Sequence, residues 1–75
     1  MNIKAIFGNN LHIYRKQAGL SQEKLALKAG IDRTYLAGIE NGKRNATLVS
    51  IEKVVNALEI SLADFFNFDL HVDYK

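Results

Sequence analysis

The stretch SQEKLALKAGIDRTYLAGIEN, residues 21–41, decides how this chain folds. Its first residue, Ser21, is a favourable N-cap for a helix over residues 22–29. Asp32 is a favourable N-cap for a second helix over residues 33–41. The apolar residues are spaced so that one stripe of each helix turns toward the other. The stretch therefore predicts two short helices that pack across a tight corner.

The corner between these helices depends on small residues. Gly30 interrupts the helical pattern and allows backbone angles that a side chain would resist. Ala26 lets the two helix axes cross closely, because a bulky residue there would hold them apart. Gly42 follows the second helix, where a residue with positive φ would end it. This is the helix-turn-helix pattern, whose second helix usually lies in the major groove of DNA.

Three further helical segments flank the motif. Apolar residues recur at three- and four-residue steps over residues 3–18, and Gly19 ends that pattern. Gly8 lies inside this segment, where glycine costs roughly 1 kcal/mol relative to alanine, so we expect another helix to pack closely against it. Thr47 can cap a fourth helix and Ser61 a short fifth one, which predicts an all-α domain of five helices. We expect the fourth helix to bury Leu48, Ile51, Val54, Val55 and Leu58.

Residues 68–75 form a tail in which the period changes. Apolar residues alternate there with polar ones, which is the spacing of a strand. A lone strand has no partner within a five-helix monomer, so the tail either pairs with its copy in a second chain or is a frayed end. Residues 1–67 are then the helix-turn-helix DNA-binding and dimerisation domain. The apolar positions of the tail are Phe68, Leu70, Val72 and Tyr74.

The composition narrows the class of protein. A chain of 75 residues is one small domain, and the lack of cysteine and proline suits a helical fold stabilised by packing or dimerisation. No segment is apolar enough for a membrane span or a secretory signal, so we expect a cytoplasmic protein with no membrane partner. His12 and His71 have no Cys or His partners at ligand spacing, which argues against a metal. Without a phosphate-binding loop or a catalytic constellation, we expect no enzyme, no cofactor and no small-molecule ligand.

The charges are divided along the chain. The formal net charge is +2, but residues 1–44 hold eight Lys or Arg against three acidic residues, and residues 45–75 hold two Lys against five. The first part is therefore basic and the second acidic. We expect this division if one face meets a polyanion and the other does not.

A set of residues between positions 7 and 66 supports a family resemblance. The set comprises Arg15, Gly-Leu-Ser-Gln at 19–22, Leu25-Ala26, Gly30-Ile31, Ile39-Glu40-Asn41-Gly42 and Ala57-Leu58. With these residues the chain resembles the lambda-repressor-like helix-turn-helix regulators, also called Cro/C1-type or XRE regulators. Within that family, Asp-Arg-Thr-Tyr at 32–35 with Arg44-Asn45 is most similar to controller proteins of restriction-modification systems. Ala46 departs from the many relatives that carry proline there, which leaves the loop less rigid.

The resemblance assigns DNA contacts to particular residues, and their chemistry agrees. Arg33 and Thr34 open the groove helix, where Arg can bond a guanine bidentately and Thr can bond a base or touch a thymine methyl. Gly38 lies one turn further on, where readout rests on close backbone approach or DNA shape. The amides that begin the first helix of the motif favour a phosphate. We expect backbone contacts from Gln22, Tyr35, Lys43, Arg44 and Asn45, with entry of Arg44 into a groove as the alternative.

Two structural expectations accompany these contacts. The resemblance brings Arg15 and Glu40 together as an ion pair that links the first helix to the groove helix. The dimer interface is expected at Leu62, Phe65 and Phe66, because adjacent aromatic residues often dominate interface energy and two of them cannot both be buried in so small a monomer. Which phenylalanine faces the partner is left open by the sequence.

The sequence therefore predicts a sequence-specific, double-stranded DNA-binding transcription regulator. It would act as a homodimer on a pseudo-palindromic operator, as the controller of a restriction-modification system does. RNA polymerase is a candidate further partner. The alternative is an antitoxin or a small phage-type repressor whose domain also binds a partner protein. An RNA-binding adaptor is disfavoured, since no exposed aromatic platform accompanies the basic segment.

Overall fold

The computed structural model describes residues 1–67, which form five helices joined by short turns and one loop. The predicted strand in residues 68–75 lies outside the described residues. None of the described helices is long and apolar enough to cross a membrane. The helices are α1 (Ile3–Gln17), α2 (Gln22–Ala29), α3 (Arg33–Glu40), α4 (Leu48–Leu58) and α5 (Leu62–Phe65).

Every described helix begins with a side chain that caps it. Each capping oxygen accepts a hydrogen bond from the backbone amide three residues later, which satisfies a donor that the helix itself leaves unpaired. The four caps expected from the sequence are confirmed, and one at the start of α1 was not expected. Gly30 and Gly42 have φ of +72° and +79°, as their turns require. The caps are Asn2, Ser21, Asp32, Thr47 and Ser61.

The core lies between the helix-turn-helix and the two helices that pack on it. α1 packs on α3, and α4 packs on α2 and α5. One expectation for α4 is wrong: Leu48 is 85% exposed. Core contact in α4 begins at Ile51, one turn further along, so the first turn of the helix extends into solvent. The fully buried side chains are Leu11, Leu25, Leu36, Ile39, Val54, Val55 and Phe65.

Gly8 allows α1 to lie directly on the end of α3. A Cβ built at Gly8 would lie 2.6 Å from the carbonyl oxygen of Glu40 and still closer to that of Ile39. Both are backbone atoms, which cannot rotate away. The expected close packing at Gly8 is therefore confirmed, and its partner is the last turn of α3.

The two adjacent phenylalanines of α5 have different surroundings. Phe65 is fully buried, with its ring centroid 5.1 Å from that of Phe7 and 5.5 Å from that of Tyr14. Phe66 is 42% exposed, and Leu62 at the start of α5 is 51% exposed. This corrects the predicted interface set, because Phe65 is enclosed by the monomer core and presents no surface to a second chain. Leu62 and Phe66 keep exposed surface, and Phe66 also packs against Phe7, with ring centroids 5.9 Å apart.

Candidate nucleic-acid interface

Packing between α2 and α3 fixes the direction of the groove helix. Ala26, which is 3% exposed, lies where the helices meet, and its carbonyl oxygen accepts a hydrogen bond from the Ile31 amide at 3.0 Å. Leu36 and Ile39 point from α3 into the core. The other side of α3 is left for solvent.

Arg33 and Thr34 stand exposed on the first turn of α3. Asp32 before them caps the helix by accepting the Tyr35 amide at 3.1 Å. The cap holds the backbone of this turn, so the two side chains project from a fixed base. Arginine and threonine are residue types that read base edges in the major groove. The structure therefore leaves both predicted base readers accessible.

An open depression of about 630 Å³ separates the starts of α2 and α3 from the end of α1. Lys16 and Arg33 contribute positive charge to its lining and Glu23 a negative charge, and Ser21 and Gln22 contribute the N-terminus of α2. A helix N-terminus and basic side chains favour the same ligand, an anion such as a DNA phosphate. Lys16 was not singled out from the sequence. Lys16 lies in the last turn of α1, and the sequence does not show that this turn lies beside α3 in the folded protein.

Glu40 ties three elements together with its carboxylate. Arg15 Nε donates to Oε2 at 2.6 Å and its NH2 group donates to Oε1 at 3.1 Å, so the predicted ion pair is present in the structure. Gln22 Nε2 also donates to Oε1, at 3.3 Å, and His12 Nδ1 lies 3.2 Å from the same oxygen. The side chains of Arg15 and Glu40 are only 9% and 4% exposed. Arg15 in addition donates to the Leu20 carbonyl at 2.8 Å, so the buried guanidinium is well satisfied.

The pKa of the Glu40 carboxyl reflects two opposing effects. Burial raises this pKa, and the hydrogen bonds from Arg15, Gln22 and His12 lower it. The hydrogen bonds prevail, and the pKa of Glu40 lies below its ordinary value. Glu40 is thus a carboxylate at neutral pH, and its oxygens can only accept hydrogen bonds. Gln22 must therefore turn its amide nitrogen, not its oxygen, toward Glu40.

Tyr35 anchors the loop that follows α3. Its hydroxyl donates to the Asn45 carbonyl at 3.1 Å and accepts from the Thr47 amide at 3.2 Å. The hydrogen bond with the Ser50 hydroxyl lowers the pKa of Tyr35, and the hydrogen bond with the Thr47 backbone lowers it further. Burial acts in the opposite direction, but the pKa still lies below its ordinary value. The Tyr35 hydroxyl is therefore already hydrogen-bonded to the loop of its own chain. Asn45 is held through its backbone carbonyl, and its side chain stays exposed.

Arg44 occupies the place beside the groove helix that a side chain at position 38 would take. A Cβ built at Gly38 would clash with Arg44 Cγ and lie 3.3 Å from Arg44 Cβ. The Arg44 guanidinium carbon lies 6.0 Å from the centre of the Tyr35 ring, and the Arg44 amide donates to the Gly38 carbonyl at 3.1 Å. The Lys43 amide donates to the same carbonyl at 2.9 Å. The surface at Gly38 is thus formed by Arg44, so close approach of the α3 backbone to DNA there would require Arg44 to move.

Comparison with known proteins identifies the family. A family model described as helix-turn-helix matches residues 11–65. The control protein C.MunI of a Mycoplasma species is 48% identical over 67 residues, which cover 88% of this chain and 90% of that protein. The control protein C.BamHI of Bacillus amyloliquefaciens is 40% identical over 89% of this chain and 84% of its own length. This chain belongs to the lambda-repressor-like helix-turn-helix family.

Solved structures of family members agree with the fold. The restriction-modification controller protein C.AhdI from Aeromonas hydrophila is similar with a TM-score of 0.84 and 42% identity, over 88% of this chain and all of that one. The controller protein C.Esp1396I, solved as a tetramer with its natural 35-base-pair operator, has a TM-score of 0.79 and 38% identity over 84% of this chain and 83% of that chain. The predicted all-α, five-helix fold and the predicted resemblance to controller proteins are confirmed.

Proposed function

We propose that this protein is a sequence-specific, double-stranded DNA-binding transcription regulator that controls a restriction-modification system. The observation that supports this most directly is the exposed first turn of α3, with Arg33 and Thr34 between the α2 N-terminus and the basic loop at 43–45. Base-reading side chains flanked by groups suited to phosphates are what docking of α3 in a major groove needs. The similar proteins named above are controllers and not enzymes.

Each side of the interface has its own role in the proposed complex. Arg33 and Thr34 read base edges in the major groove. Gln22 and the first amides of α2 bind a phosphate on one side of the groove, and Lys43 binds the backbone on the other. Arg44 lies across the α3 surface at Gly38 with its guanidinium carbon 6.0 Å from the centre of the Tyr35 ring, and from there it binds the backbone or, as the alternative, enters the groove. The two remaining expected backbone contacts are made by Tyr35 and by the exposed Asn45 side chain.

A second copy of this chain is the proposed occupant of the apolar surface formed by α4 and α5. The first turn of α4 and the exposed residues of α5 line an open concavity of about 410 Å³. Leu48 is 85%, Val49 60%, Leu62 51% and Phe66 42% exposed. Contiguous exposed apolar residues of this kind typically mark a protein–protein interface. A two-fold dimer would present two α3 helices about 34–36 Å apart, one turn of DNA. The oligomeric, operator-bound state of C.Esp1396I supports this arrangement.

Selection of bound sequences from a random duplex pool tests the proposed function. We expect a consensus with two inverted half-sites, because a two-fold dimer reads each strand in the same way. Enrichment of a single, unrepeated site would contradict the dimer, and no enrichment over the starting pool would contradict sequence-specific binding.

Two substitutions then separate base reading from phosphate binding. Arg33→Ala should lose about 1–3 kcal/mol on the selected operator and relax the preference at one position per half-site. Lys43→Ala should weaken all duplexes alike and reduce the salt dependence of binding. Lys53→Ala, which removes an exposed positive charge from α4, is the control. It should change neither the base preference nor the salt dependence of binding. Equal losses on specific and nonspecific duplexes for Arg33→Ala would show that Arg33 is not a base reader.

A further inference from the structure

Two side chains of α1 hold the end of α5. Asn10 Nδ2 donates to the Phe65 carbonyl oxygen at 2.6 Å, and the Tyr14 hydroxyl donates to the Asp64 carbonyl oxygen at 3.0 Å. Both acceptors lie at the C-terminal end of α5, and the Asp64 carbonyl also accepts from the Asn67 amide at 3.2 Å. Asn10 and Tyr14 are four residues apart, so they project from the same face of α1.

The direction of α5 depends on these contacts. A helix of four residues is too short to be stable by itself, so its orientation is set by what it packs on. Its buried ring, Phe65, packs against Phe7 and Tyr14 of α1. Phe66, the next residue, belongs to the apolar surface to which we assign the second copy. α4 also packs on α5, so α1 and α4 together set the orientation of α5, and the two hydrogen bonds and the ring packing are the share that α1 contributes.

The same helix is fixed to the groove helix. Gly8 brings α1 onto the last carbonyl groups of α3, and Arg15 forms the buried ion pair with Glu40. α1 is a continuous helix of fifteen residues, and its contacts with α3 at Gly8 and Arg15 lie on either side, along the sequence, of Asn10 and Tyr14. The hydrogen-bonded backbone of α1 is stiff over this distance. A change in the orientation of α5 relative to α1 therefore changes the orientation of α3 relative to α5.

We propose that Asn10, together with Tyr14, is a positioning residue that sets the spacing and angle between the two α3 helices of the homodimer. This inference rests on the proposed dimeric DNA-binding function. In a dimer whose α3 helices are 34–36 Å apart, each lies about 17 Å from the two-fold axis. A tilt of about 5° at the α1–α5 contact would move each α3 by about 1.5 Å, which exceeds the roughly 0.5 Å within which a binding site must be held. Asn10 would thus define which half-site spacing the dimer accepts without touching DNA.

The test compares operators that differ only in the number of base pairs between the half-sites. Binding of the full chain is measured on the selected operator and on versions with one base pair added or removed. The variants are Asn10→Ala and Asn10→Asp, where the carboxylate would face the Phe65 carbonyl in place of a donor. Asn9→Ala is the matched control, because it makes the same change at an exposed position of the same helix. Tyr14→Phe removes only the hydroxyl.

We expect the wild-type preference for its own spacing to fall by a few-fold to about tenfold in Asn10→Ala, since one hydrogen bond supplies a coupling of that size. The base preference within each half-site should not change, and Asn9→Ala should behave as wild type. A merely structural role would lower the unfolding temperature and weaken all three spacings by the same factor, which would overturn the proposal. If Asn10→Ala dimerises too weakly for the comparison, Tyr14→Phe decides it by the same criterion.

A distance measurement provides a second, independent readout. The chain contains no cysteine, so Leu27→Cys, at a position of α2 that is 82% exposed, introduces a single spin label per protomer. Asn10→Ala should broaden or shift the label-to-label distance in the dimer, and an unchanged distribution would overturn the proposal. A wild-type protein indifferent to half-site spacing would instead overturn the proposed dimeric function.

Discussion

The buried pair of Arg15 and Glu40 gives the sharpest prediction for stability. The carboxylate lies within 2.6 Å of Arg15 Nε, and both side chains are almost completely enclosed. Removing Glu40 would leave a guanidinium that is largely buried and keeps, among the described residues, hydrogen bonds to the Leu20 carbonyl and His12. Desolvation of an unpaired charge is costly, and breaking a buried pair from one side typically loses about 3–5 kcal/mol.

A loss of that size is large for a domain of 75 residues. Small domains have about 5–15 kcal/mol of stability in total, so Glu40→Ala should lose a large part of it. At about 4–8 °C per kcal/mol for a domain of this size, a loss of about 3–5 kcal/mol should lower the unfolding temperature by about 12–40 °C. Replacing both partners by apolar residues, Arg15→Met with Glu40→Leu, should recover most of this loss, because no unpaired charge remains.

Thermal and urea unfolding followed by circular dichroism measure the effect. Lys28→Ala is the control, since it breaks the exposed ion pair with Glu59, whose atoms lie nearly as close, at 2.8 Å, and should change the stability little. If Glu40→Ala lost less than about 1 kcal/mol, the reasoning from burial would be wrong.

The pH dependence of stability has a definite sign. The pKa of Glu40 is lower in the folded protein than its ordinary value, because its hydrogen bonds outweigh burial. The folded state therefore binds fewer protons at this site than the unfolded state, so the contribution of Glu40 is complete above the ordinary carboxyl pKa. It is lost as pH falls through the lower, folded pKa. Wild type should lose this part of its stability in acid, and Glu40→Gln should not.

The remaining predictions concern four other positions. Gly8→Ala should lose about 1–3 kcal/mol of stability despite the better helix propensity of alanine, since its Cβ would meet α3 backbone atoms; an increase in unfolding temperature would contradict the close packing. Gly38→Ala should leave stability within about 1 kcal/mol of wild type but displace the Arg44 stem, and unchanged operator affinity in gel-shift titrations would show that the position of Arg44 over Gly38 has no role. Phe65→Ala should lose about 3–5 kcal/mol of monomer stability, whereas Phe66→Ala should stay folded and dissociate in sedimentation experiments; a fully dimeric Phe66→Ala would move the interface elsewhere.

The helices could be predicted because their signals are local. A capping side chain and the apolar period that follows it lie within a few residues, and Gly30 and Gly42 mark turns that need positive φ. The N-cap of α1 at Asn2 was missed, although it too is a local signal. Leu48 was misassigned because periodicity shows which residues share a helix face and not where along the helix the neighbouring elements stop.

The site was only partly predictable for a different reason. The exposure of Arg33 and Thr34 follows from their places in the first turn of α3 and from the direction of the apolar stripe. The position of Arg44 over Gly38 depends on how a loop folds back on a helix, and the sequence left both a backbone and a groove role open. Phe65 and Phe66 are chemically identical neighbours, so only packing against Phe7 and Tyr14 distinguishes the buried one.

Glu40 joins the stability of the fold to the proposed contact with DNA. Its carboxylate accepts from Arg15 and from Gln22, so the group that neutralises the buried guanidinium also orients the amide at the start of α2. Because a carboxylate can only accept, the Gln22 amide nitrogen must face Glu40, and one of its two hydrogens remains for a phosphate. α1 contributes Arg15 to this network and Asn10 to the end of α5. A shift of α1 should therefore disturb both the proposed phosphate contact and the proposed dimer surface. α1 reads no base in this proposal, but DNA binding and dimerisation both depend on it.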